Sequence, residues 1–275
     1  MSDLDLFDTH CHIHEMVRRI TPVYDKWHSD DSGRTPEGVV AAAHEAGVRR
    51  MLCVGTTLAD SEQAIEFVMG REGLWASIGI HPHEAARHLN VGDKKRFASL
   101  LSNHHDKIVA IGECGLDYFY DHSPREAQID ILKFQIELAL EHDLPLSFHV
   151  REAFDDFWPV FESYRGANIR GVLHSYTDNA AHMERAVKQG LYFGVNGIVT
   201  FVKDEAQRVI YRTIPQRLLL LETDAPFLTP APYRGTVCEP KHVRVTAQFL
   251  ADLRSEKLED LAVSTTANAR ALLKV

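Results

Sequence analysis

"IVAIGECGLDYFYDHSPREAQIDILKFQIELALEHDLPLSFHVR", residues 108–151, reads as strand, helix, strand. The apolar runs "IVAIGECGLD" (108–117) and "LPLSFHVR" (144–151) flank a helical pattern over 125–142. The same rhythm extends in both directions. Upstream, strands are predicted at "LFDTHCH" (6–12), "RRMLCVGT" (49–56) and "LWASIGIHP" (74–82). Downstream, they are predicted at "IRGVLHSY" (169–176), "LYFGVNGIV" (191–199) and "RLLLLETD" (217–224). Helical patterns at 36–47 and 242–254 belong to this alternation, and Thr35 before Pro36 marks a capped helix start. Eight strands, each followed by a helix, specify a parallel sheet. Their number and the length of 275 residues favour an α/β fold closed into a (β/α)8 TIM barrel, a single domain over residues 1–275. No G-x-G-x-x-G turn follows the first strand, as an open dinucleotide-binding sheet would more often show. Residues 15–35 read as one long loop after the first strand.

The hydrophobic content of 45% supplies a sizeable core, and the net charge of −9 argues against a broad basic surface for non-specific DNA binding. It leaves room for a local cationic site in which bound metal carries the charge. No apolar run is long enough for a membrane helix, and "MSDLDLFDTH" lacks a signal-peptide layout, so a cytoplasmic protein is expected. Cys11, Cys53, Cys114 and Cys238 include no C-x-x-C pair and are expected to be reduced thiols.

Alternate residues of a strand share a face, so His10 and His12 are expected to point together, with Cys11 opposite. Glu113 falls near the end of strand four, His149 at the end of five, His174 at the end of six and Asp224 at the end of eight. Alone, each histidine reads more often as a hydrogen-bonded structural residue than as a ligand, and Glu113 or Asp224 reads as well as a helix cap or an arginine partner. Together they are six buried polar groups at C-terminal strand ends, the face where barrel enzymes place their chemistry. Four imidazoles and two carboxylates form an N/O donor set suited to Zn, Mn or Mg, and are numerous enough for two divalent metal ions sharing a carboxylate. Such a pair would polarise a phosphoryl or carbonyl oxygen and deprotonate water.

The motifs "FDTHCH", "GIHPH", "GECGLDY", "LPLSFHVREA", "VLHSYT" and "LLLETDAPFLTP" occur in that order across almost the whole chain. In this succession the sequence resembles the TatD-like metal-dependent deoxyribonucleases. The resemblance implies a (β/α)8 barrel that hydrolyses phosphodiesters, with DNA, at single-stranded ends, as substrate. It implies that His10, His12, Glu113, His149, His174 and Asp224 are metal ligands. The first-strand pair and Asp224 would hold one ion, His149 and His174 the other, with Glu113 between them. Asp224 and Glu113 are the catalytic candidates. Asp224 matches the base that takes a proton from the attacking water, a role left open beside that of ligand alone. His81, Arg151 and Arg234 are candidates for binding substrate phosphate, each with a structural alternative. Glu222 reads as buried and structural. The run "DYFYD" (117–121) reads as rim packing or as a base-stacking surface.

Three positions depart from the family pattern: His14, which reads as a rim residue beyond the strand end where an acidic residue is usual, Ser175–Tyr176 in the sixth loop, and Cys238 in place of an asparagine. They bear on the substrate pocket and leave the ligand set intact. The alternatives are a hydrolase of a small phosphoester, lactone or amide on the same barrel, and a non-catalytic binding protein. Glu113 stands where related amidohydrolases often carry a carbamylated lysine, which counts against that subgroup.

Overall fold

The computed structural model describes residues 4–103 and 106–275. The strands are β1 (Leu6–Cys11), β2 (Val48–Val54), β3 (Leu74–Ile78), β4 (Ile108–Asp117), β5 (Leu146–Arg151), β6 (Gly171–Leu173), β7 (Tyr192–Val195) and β8 (Leu219–Leu221). They form one sheet in chain order, β1 to β8. The pairs β1–β2, β3–β4, β4–β5, β5–β6 and β7–β8 are parallel. Beyond β8, Ala225 bridges back to Cys11 of β1. The chain is therefore the (β/α)8 barrel that the sequence predicts. Helices α2 (Pro36–Glu45), α3 (Leu58–Val68), α4 (Val91–Asn103), α5 (Arg125–Glu141), α6 (Phe154–Ser163), α7 (Ala180–Lys188) and α8 (Glu205–Thr213) follow successive strands. Helices α9 (Val243–Arg254) and α10 (Leu258–Leu273) follow β8.

The contacts group into two units. The first holds the residues up to Cys53, Glu72–Leu74 and Ser175–Ala271. Its interior is built on Leu6, Phe7, Met51, Phe193 and Leu219 to Leu221, all buried. The expected loop at 15–35 contains a short helix, α1 (Val23–Trp27). Trp27 is buried and donates its indole N–H to the His12 carbonyl at 2.9 Å, which ties this segment beneath the end of β1. Thr35 caps α2 by accepting from the Gly38 N–H at 3.1 Å.

The second unit holds Val54–Arg71, Trp75–His174 and Leu272–Val275. All ten residues of β4 are buried, as expected of a parallel strand covered on both faces. Phe154, Phe157, Trp158 and Phe161 lie at helical spacing on α6, and the Phe148 ring of β5 meets Phe157 edge-on at 5.2 Å.

Three strands are shorter than their apolar runs. After β6 the backbone turns at Ser175, with φ of 50°, and after β8 at Asp224, with φ of 60°. After β7 the Asn196 side chain accepts from the Ile198 N–H at 3.2 Å and starts a 3-10 turn, Gly197–Thr200. After β7 a short polar side chain thus diverts the chain where hydrophobicity alone would continue it.

In the first unit, His242 Nδ1 accepts the Glu239 N–H at 3.0 Å, closing the turn before α9. Burial holds the imidazole down at about 4, with Lys241 assisting, so it is neutral in the fold. Between pH 6.5 and 4 the unfolded chain takes up a proton that the fold excludes. Stability is therefore present above pH 6.5 and lost as pH falls through this window, by up to about 3 kcal/mol. His242→Gln keeps an acceptor at the cap. Urea titrations at pH 7 and pH 4.5 are expected to show wild type losing roughly 2 kcal/mol more than this variant.

Candidate functional site

In the first unit, β1 and the segment after β8 are laced together. The Asp224 N–H donates to the His10 carbonyl and the His12 N–H to the Ala225 carbonyl, both at 2.8 Å. Pairing of β1 with β2 slips between Asp8–Met51 and Cys11–Cys53, three residues of β1 opposing two of β2. This bulge lies at Thr9–His10 and re-aims the side chains there. His10 and His12 are buried, with ring centroids 5.1 Å apart. Their Nε2 atoms lie 3.9 and 3.4 Å from Asp224 Oδ1. His10, His12 and Asp224 thus offer three donor atoms within 4.8 Å of one another, two nitrogens and an oxygen.

Two carboxylates brace this group without belonging to it. Asp8, fully buried, accepts the Thr223 N–H at 2.9 Å and its hydroxyl at 2.6 Å, and so ties β1 to the residue before Asp224. Glu222, also fully buried, accepts the Ser175 N–H at 2.7 Å and the Asn196 amide at 3.1 Å. A β-carbon at residue 194 would collide with the Glu222 carboxylate, so glycine is required there. His14 is not at a rim. It is fully buried in the 3-10 turn Ile13–Met16, with donor atoms of His12 and Glu15 within reach.

In the second unit, Glu113 is the hub. Three residues of β4 oppose two of β5 between Ile111–Leu146 and Cys114–Phe148, a bulge at Gly112–Glu113. Gly115 pairs with His149, and with φ of 149° it has no room for a β-carbon against the His149 carbonyl. Glu113 Oε1 lies 2.9 Å from His149 Nδ1, 3.5 Å from His81 Nε2 and 3.9 Å from His174 Nε2. On its far side, His149 Nε2 meets Asp117 Oδ2 at 3.0 Å, and His83 Nε2 meets the same oxygen at 3.0 Å. Burial opposes charge on His149, but the bonds to Asp117 and Glu113 outweigh it and lift the imidazole to about 9. Burial likewise opposes charge on Asp117, which its bonds to His149 and His83 nonetheless hold far below the usual carboxylate range.

His81, Glu113 and His149 have donor atoms within 4.8 Å of one another, yet hydrogen bonding separates the two histidines. His149 keeps a carboxylate on Nε2 and turns Nδ1 toward Glu113, the arrangement of a metal-ligating imidazole held by an outer carboxylate. His81 accepts the His83 N–H on Nδ1 at 3.2 Å, so its Nε2 carries the hydrogen. Burial pushes His81 down to about 3, against the pull of Glu113, and it is neutral. It therefore suits donation to an anionic oxygen rather than metal ligation.

The remaining expected contacts are exposed. The Arg151 guanidinium lies over the Phe119 and Tyr120 rings, 4.0 and 4.8 Å from their centroids. Arg234 lies over the Phe201 ring at 3.8 Å and donates to the Thr229 carbonyl at 3.1 Å. Asp117 and His83 escaped the sequence reading as site residues. The available signal was Asp117 itself, an acid ending a strand with no exposed residue. Thr223→Val, which removes the hydroxyl that Asp8 accepts, is expected to cost about 2 kcal/mol, read as a lowered urea midpoint with unchanged slope.

Known proteins resemble this chain over nearly its whole length. The family described as "TatD related DNase" matches residues 7–274. A Bacillus subtilis strain 168 protein described as the uncharacterized metal-dependent hydrolase YabD is 33% identical over 270 residues, covering 98% of this chain and 99% of its own. The 3'-5' ssDNA/RNA exonuclease TatD of Escherichia coli K12 is 32% identical over 256 residues, covering 90% and 96%. The crystal structure of YjjV, a TatD homolog from E. coli K12, superposes with a TM-score of 0.86 at 26% identity, covering 99% of each chain. The chain belongs to the TatD-related DNase family of metal-dependent hydrolases.

Proposed function

We propose that the chain, acting as one hydrolase unit over residues 1–275, is a divalent-metal-dependent deoxyribonuclease that trims single-stranded DNA from its ends. It binds two ions, of Zn, Mn or Mg, one on His10, His12 and Asp224 and one on Glu113, His149 and His174. The observation that carries this reading is the bonding of His149, with Asp117 fixing one ring nitrogen while the other faces Glu113. The donor chemistry fits, since imidazole nitrogens and carboxylate oxygens suit these ions without a thiolate.

When bound, the ions supply a nucleophilic water at neutral pH and neutralise charge on the phosphate. The chain's own residues do the rest. Asp224, only partly buried, is accessible to the attacking water and takes its proton. His81, with Nδ1 taken by the His83 N–H, donates its Nε2–H to a phosphate oxygen. Arg151 and Arg234, both exposed, supply positive charge for the strand. The relative named an ssDNA/RNA exonuclease supports this substrate class, and a cytoplasmic setting accords with it. Among the described residues no helix is long and apolar enough to cross a membrane.

Purified protein with Mn²⁺ is expected to shorten a single-stranded oligonucleotide, and Asp224→Asn to lower kcat by about 100-fold or more. Wild type that leaves the strand intact with each metal yet hydrolyses a small phosphoester, lactone or amide would move the assignment to the small-substrate reading. Calorimetric titration of metal-stripped protein is expected to give two ions per chain. Asp117→Asn is expected to weaken binding of one of them by about 10- to 100-fold and to spare the other.

A further inference from the structure

The run "DYFYD" does not behave as one packing cluster. Tyr118 is committed inward: its hydroxyl donates to Asp156 at 2.7 Å and Arg125 covers its ring at 4.1 Å. Phe119 and Tyr120 face solvent, with half of each surface open (50% and 51%). Leaving two adjacent aromatic rings in water forgoes their burial energy, which is the mark of a surface awaiting a partner. These two are also held rigidly. Both backbone N–H groups donate to Asp117 Oδ1, at 3.0 and 2.9 Å, while the other oxygen of that carboxylate holds His149 and His83.

The rings connect to the proposed metal group through an unbroken series of edge contacts. The Tyr120 centroid lies 5.5 Å from His83, His83 lies 4.4 Å from His81, and His81 lies 4.6 Å from His149. His122 stacks parallel to Tyr120, at 5.8 Å and 5°. Phe119 and Tyr120 stand perpendicular with centroids 4.8 Å apart, and the exposed Arg151 guanidinium lies over both rings, adding a flat cation at the surface. Flat π surfaces with a guanidinium, beside a group suited to a phosphodiester, match an unpaired nucleobase. A base within a duplex has its faces covered by its neighbours and cannot offer one.

We propose that Phe119, Tyr120 and Arg151 form a stacking platform for an unpaired nucleobase of the strand whose phosphate lies at Glu113 and His149. This rests on the nuclease reading and adds the source of its single-strand selectivity. The platform binds base faces, so it tolerates any sequence and favours bases freed from pairing.

The test is a cycle of two removals on full-length protein. Fluorescence anisotropy measures binding of a single-stranded decamer, and of the same strand with abasic residues at both termini, to wild type and to F119A/Y120A. Base removal is expected to weaken wild-type binding about tenfold and binding to the variant less than about twofold, and a blunt duplex is expected to compete poorly. Equal losses for both proteins, or a duplex competing as well as the single strand, overturn the platform. Cleavage of the decamer by Mn²⁺-loaded wild type is followed in parallel. An intact cycle without cleavage defeats the nuclease reading and leaves the platform standing. Cleavage with additive losses does the reverse.

Discussion

A carboxylate taken out of water costs several kcal/mol unless hydrogen bonds and charge replace its hydration, and Asp117 is fully buried. Its two oxygens meet this cost by dividing their partners. Oδ1 takes the backbone N–H groups of Phe119 and Tyr120, and Oδ2 takes the rings of His83 and His149. Gln128 of α5 then grips the Asp117 backbone, accepting its N–H at 2.8 Å and donating to its carbonyl at 3.2 Å. One side chain thereby sets the turn after β4, the ring of β5 and the residue following the β3 turn. The ionised form is favoured by these bonds over the neutral one, and the bond from His149 to it, together with that to Glu113, lifts the proton affinity of His149.

The first unit buries different carboxylates, and there burial raises Asp8 well above the usual carboxylate range despite its bonds to Thr223. Asp8 and Glu222 are as deeply buried as Asp117, and each accepts from backbone N–H and a short polar side chain. Asp8 takes its side-chain bond from the Thr223 hydroxyl, and Glu222 from the Asn196 amide. Their task is to pin strand ends: β1 against Thr223, and the chain after β6 against β7. Proposed ligands then project from backbone already fixed by other acids, which is the preorganisation a metal site needs.

The barrel was legible because its elements announce themselves by hydrophobic period. β4 matches its predicted run residue for residue, all ten positions buried with Glu113 among them. The H-x-H pair and the acids and histidines at strand ends were legible for the same reason, each interrupting an apolar run. What the sequence hides is register. The extra residue in β1 at Thr9–His10 and in β4 at Gly112–Glu113 breaks the two-residue alternation from which facing is inferred, and these are the places where ligand candidates emerge. His14 was read as rim because an acid is usual there and the strand had ended. A 3-10 turn carries it inward instead, and no periodicity marks that turn. Asp117 was hidden by its neighbours, because beside two tyrosines and a phenylalanine an acid looks like surface.

His81 and His149 carry the sharper lesson. Both are imidazoles within 3.5 Å of the same Glu113 oxygen, and distance alone would make both ligands. Their roles are decided by the nitrogen that faces away. A backbone N–H from His83 occupies the lone pair of His81 and leaves it a donor, whereas the Asp117 carboxylate holds a hydrogen on His149 and leaves the lone pair of Nδ1 available once its second proton departs. In the roles proposed for them, the same side chain serves as a phosphate contact or a metal ligand according to whether its remote partner gives a hydrogen bond or takes one. Exchanging those partners would exchange the roles without moving either ring.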